Sequence, residues 1–208
     1  MLAASVLVML GMVKKITARL GLNDYVTSFF IFLIVLLNVR GGVRLTNNFS
    51  LSLGGTLSVI VACYVLIRRS ESGSDFLFAL LSAIGCAGIV FAYTLHFSTV
   101  LCLDPRILAT LLALLVGLWC AFSSRRTFAA CLFSSIIGAF LGVTIYQVFF
   151  RISGNIGGSY AFAVMWLGAI FGIVIQYLLT VMLRSIKSPR ANSYFEAGEM
   201  SDESKSKE

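Results

Sequence analysis

The chain has 208 residues, 59% apolar and 12% charged, with a mean hydropathy of +0.95. That is too few polar residues to cover a globule, so the composition excludes an ordinary water-soluble domain and makes lipid the solvent. The net charge of +7 sits on bases dispersed as singles and pairs at the ends of apolar runs, which argues against a nucleic-acid-binding patch or stripe.

Seven apolar runs are predicted as bilayer helices: Met1–Val13, Tyr25–Val39, Leu51–Ile67, Phe76–Leu95, Arg106–Phe122, Thr127–Phe150 and Ser159–Leu183. Most approach the roughly 20 residues that a helix needs to cross a bilayer. The expected fold is therefore all-α, a polytopic membrane bundle of six or seven transmembrane helices. The first run is short and is followed, not preceded, by Lys14–Lys15, the reverse of a secretory signal, so it reads as a retained anchor. Residues 1–183 form the bundle in this reading, and 184–208 a flexible polar cytoplasmic tail too poor in apolar residues to offset its ordering entropy.

Alternate connections differ in Lys and Arg. Lys14, Lys15, Arg19, Arg68, Arg69, Arg125, Arg126, Arg184, Lys187 and Arg190 fall on one side, against Arg40, Arg44, Arg106 and Arg151 on the other. Cytoplasmic loops are enriched in bases. The C-terminus is thus expected inside and, with seven spans, the N-terminus outside.

The acids have a structural assignment. Asp104 precedes Pro105 and an apolar run, the pattern of an N-cap with proline in the first turn. Asn23–Asp24 and Ser74–Asp75 precede runs in the same way, and an acid at a helix start or a base at its end contributes about 0.3–1 kcal/mol against the helix dipole. Intramembrane ionisable residues usually mark a proton path or catalytic acid, and no Asp, Glu, Lys or Arg falls deep inside any run.

Two GxxxG spacings, Gly138–Gly142 and Gly168–Gly172, line glycines on one helix face and predict close packing of these two helices against each other or against a second copy. Gly41–Gly42, Gly54–Gly55 and Gly157–Gly158 are expected at the outer face, where Asn38, Arg40, His96, Asp104, Gln147 and Arg151 form the candidate polar site. Gln176 is the candidate polar residue near the bilayer midplane, in need of a hydrogen-bond partner. Cys63, Cys86, Cys120 and Cys131 lie in apolar runs and no CxxC or Cys/His zinc spacing is present, so no metal, cofactor or disulfide framework is expected. His96, Cys102 and Asp104 lack a second base or an oxyanion donor set, and no catalytic residue is assigned.

The order of Leu37-Asn38-Val39, Leu53-Gly54-Gly55 leading to Tyr64-Val-Leu-Ile, Asp104-Pro105, Ile137-Gly138-Ala139 and Ile156-Gly157-Gly158-Ser159 resembles a domain-of-unknown-function family of small prokaryotic multi-pass membrane proteins. The resemblance implies a location in the cell membrane. It also implies an aspartate just after the Gly-Ala and another after the C-terminal Gly-Gly. Phe140 and Ala161–Ala163 stand there instead, so this chain lacks the paired carboxylates that intramembrane proteolysis would need. A non-enzymatic interaction or assembly role is expected first, with the lipid bilayer and a second copy or a membrane protein as partners and no nucleic acid. A small permease for a neutral or weakly polar solute is second, and an intramembrane hydrolase third.

Overall fold

The computed structural model describes residues 24–39, 42–44, 49–70, 73–100, 104–123, 127–150, 152 and 154–205. Six helices are seen among them: α1 (Asp24–Val39), α2 (Leu53–Arg69), α3 (Gly73–Val100), α4 (Pro105–Ser123), α5 (Phe128–Phe149) and α6 (Ser159–Lys205). Three short strands, β1 (Gly42–Arg44), β2 (Phe49–Ser52) and β3 (Gly154–Ile156), complete the fold. The run Met1–Val13 and its anchor role lie outside the described residues.

The protein is a helical bundle in which α3 to α6 contain segments long and apolar enough to cross a membrane. Helices α1 and α2, of 16 and 17 residues, fall short of the roughly 20 needed for a full crossing. The small sheet was not expected from the apolar pattern. Strand β1 pairs antiparallel with β2, opposing Gly42 to Ser52, and β2 pairs parallel with β3, opposing Phe49 to Gly154. The sheet therefore ties the α1–α2 connection to the α5–α6 connection at one end of the bundle.

Helix α5 is the hub. It packs on α2, α3, α4 and α6, and 67% of its span is buried, against 39–44% for the other three long helices. The hairpins α3–α4 and α5–α6 lie side by side with like helices parallel: Gly138 faces Cys86 while Gly142 faces Val90, and Gly168 faces Val116 while Gly172 faces Gly117. Helices α5 and α6 pack against each other, as the spacings predicted, and their glycines also admit two further helices. The α5 seam receives α3 and the α6 seam receives α4, with only Gly172 also reaching α5 through the Cys131 sulfur. Glycine spacing shows that a backbone can approach a helix face, and it does not show whose backbone it is.

Polar side chains inside the bundle are spent on neighbouring helices. Ser134 on α5 donates to the Ala79 carbonyl of α3 (3.1 Å), and the Trp119 indole of α4 donates to the Ser82 carbonyl of α3 (3.1 Å). Tyr93 on α3 donates to the Leu108 carbonyl of α4 (3.1 Å), and the Trp166 indole of α6 donates to Ser58 Oγ of α2 (3.0 Å). The Ser82 and Ser123 hydroxyls are in contact as well. Each such bond in a membrane bundle contributes about 0.6 kcal/mol on average, so the five act as distributed glue on a core built from Val90, Leu112, Val116, Ile136 and Met165.

Helix α6 does not stop where the apolar run ends. It continues through the polar segment from residue 184 to Lys205. The segment expected to lie loose for want of a core is helical along its backbone, although Pro189 brings no N–H to the ladder. At about 1.5 Å per residue, the part beyond Met182 is about 35 Å long.

Candidate functional site

The sheet end of the bundle carries the predicted outer polar residues. Helix parity puts the α1–α2, α3–α4 and α5–α6 connections at this same end. Arg40 and Arg151 lie outside the described residues, as does Cys102.

The start of α2 is built first by Ser52. Its hydroxyl accepts from the Gly55 amide (3.3 Å), capping the helix, and donates to Asn38 Oδ1 at the end of α1 (3.0 Å). Asn38 is thereby a structural acceptor that locks α1 to the start of α2. Immediately behind this cap, Gly55 meets Gly157: a Cβ on Gly55 would stand 2.7 Å from the Gly157 carbonyl oxygen. Gly157 itself has φ of +72°, a left-handed conformation that glycine adopts without the Cβ penalty. The Phe140 ring of α5 lies against it. Two helix N-termini and the middle of α5 are therefore joined through a backbone-to-backbone contact.

Gln147 is seven residues beyond Phe140, and so on the same face of α5, which points it toward the sheet side. Asn155 lies in β3, its side-chain oxygen next to Gly42 of β1. The side-chain oxygens of both Gln147 and Asn155 are buried and accept no hydrogen bond from the described residues. Asn155 belongs to the outer polar level of the sequence, and its position in edge strand β3, opposite Ser50, is legible only once the sheet is known.

His96 lies near the end of α3, and Asp104 immediately precedes α4. Both are exposed. Asp104 Oδ1 accepts from the Arg106 amide (2.9 Å), and the Ile107 and Leu108 amides reach the Asp104 carbonyl (2.9 and 3.1 Å), the N-cap geometry that the Asp-Pro pair predicted. Asp24 begins α1, and Asp75 stands in the first turn of α3, where a negative charge meets the positive end of the helix dipole. Asp104→Ala is expected to lower stability by about 1 kcal/mol, while Asp104→Asn retains most of it. Thermal unfolding in detergent checks this; equal loss in both variants would mean that the charge, not the cap, matters.

Gln176 is buried at 8% exposure and lies within the apolar segment Ser159–Met182 of α6. Gly172 faces Cys131, the fourth residue of α5. One turn farther along antiparallel α6, Gln176 comes level with the start of α5, at the end of the bundle opposite the sheet. Thr180 Oγ1 donates to the Gln176 backbone carbonyl (2.8 Å).

Cys86, Cys120 and Cys131 are fully buried and fill the core as small apolar side chains. Among the described residues no group of three or more His, Cys, Asp or Glu is placed to hold a metal ion. Of the aromatic residues that read as interfacial anchors, Tyr25, Tyr64, Trp119 and Tyr177 are exposed, whereas Tyr160 packs against the core; the Arg68 guanidinium is 5.8 Å from the Tyr64 ring centre and hydrogen-bonded to its hydroxyl (3.1 Å). No family model, curated protein or solved structure matches the chain.

Proposed function

We propose that this chain is a non-enzymatic integral membrane protein whose role is interaction or assembly. The observation that carries this reading is the fate of the interior polar groups: the Ser134, Tyr93 and Trp166 side chains each bond a neighbouring helix of the same bundle. An interior so committed offers a frame for presenting its ends. At one end stands the sheet, and from the other projects the helical extension of α6.

In this proposal all six helices cross the cell membrane of a prokaryote, with the base-rich side and C-terminus in the cytosol and the sheet outside. Residues beside the sheet make up for the short lengths of α1 and α2. Kinship with the small multi-pass family is part of the same reading, supported by its quoted motifs: Gly54–Gly55, Asp104–Pro105, Gly138 and Gly157–Gly158 sit where this fold has a close approach or a cap.

Removing residues 184–208 tests the role. Full-length protein crosslinked mildly in its native membrane is expected to carry a stable partner that the shortened chain loses, while the thermal unfolding of the bundle is unchanged. Equal capture by both chains, or a full-length protein that remains alone, would overturn a role mediated by the extension.

A permease is the second reading, favoured by the buried, unbonded oxygens of Gln147 and Asn155. Such oxygens cost about 1–3 kcal/mol when left dry, and a hydrated path would relieve them. Gln147→Cys, introduced into a chain whose native cysteines are replaced, should react quickly with a membrane-impermeant maleimide if water reaches this level. Slow labelling, with Gln147→Leu as stable as the parent, would remove the permease.

A further inference from the structure

No further inference is drawn: the strongest candidate, the outward seam of Gly88 and Ala92 on α3, is a stripe of small residues, and nothing in the structure shows what covers it.

Discussion

Gly138→Leu is expected to prevent α3 and α5 from docking and to cost about 3 kcal/mol or more, at the upper end of what overpacking a core costs. A Cβ at this position would lie 2.5 Å from Cys86 Cβ, 2.6 Å from its Sγ and 2.8 Å from the Ala83 carbonyl oxygen. The last of these is backbone and cannot rotate away, so relief requires moving α3 as a body. That movement would also strain the Ser134 to Ala79 hydrogen bond one turn below and the Gly142 contact with Val90 one turn above. Thermal unfolding in detergent and the monodispersity of the purified protein are the readouts. Gly88→Leu, on the same pair of hairpins but with no atom within 4 Å of the new Cβ, supplies the control and should stay within about 0.5 kcal/mol of the parent. Cys86→Ala placed beside Gly138→Leu should recover only part of the loss, because the Ala83 oxygen remains. Unaltered unfolding of Gly138→Leu would mean that the α5 seam does not receive α3.

Gly157→Val should be the second most damaging substitution. Left-handed backbone costs an L residue about 1–2 kcal/mol, and β-branching makes such a conformation a true outlier. Space is short as well: a Cβ there meets the Phe140 ring at 3.0 Å and Gly55 Cα at 3.3 Å. The ring end can yield, whereas the Gly55 backbone is fixed by its hydrogen bond to Ser52 Oγ. The combined loss is expected near 3 kcal/mol, with Gly157→Ala about 2 kcal/mol. Amide hydrogen exchange distinguishes the cause. Phe49, Ser50 and Leu51 pair with β3, and their amides should exchange faster in either variant while α3 and α4 stay protected. Uniform loss of protection would indicate global unfolding in place of a local release of the sheet.

What the sequence revealed and what it hid differ in kind. Helix ends were legible because charges and caps are local: Asp104 and Pro105 mark the first residues of α4, Arg68 and Arg69 stand in the last turn of α2, and Thr127 caps α5 through the Ala130 amide (3.2 Å). The hairpin left a trace in Val43-Arg44 and Phe49-Ser-Leu-Ser around Asn47–Asn48, an alternation bounded by turn formers, but strands of three and four residues are lost among long apolar runs. Strand β3 had no local signal, since its pairing depends on residues far away in the chain. Counting along a run gives distance from the run's own ends, and the Gly172 contact with Cys131 gives the height of Gln176 in the bundle. For the extension of α6, composition argued for a flexible tail because no core could form, while the backbone is helical to Lys205.

The parallel pairing of β2 with β3 has a consequence for biosynthesis. Phe49 and Gly154 are opposed in that ladder although 105 positions separate them in the chain. During synthesis α1 and α2 therefore leave the ribosome with one strand edge unmatched, and that edge waits while α3, α4 and α5 are made. Contacts of such long sequence separation form late, and unmatched strand edges are prone to wrong pairing in the meantime. The last strand to emerge acts as the clasp for the first two helices. A nascent chain arrested before Gly154 would expose the earliest part of the fold to quality-control proteases, however well α3 and α4 had already joined.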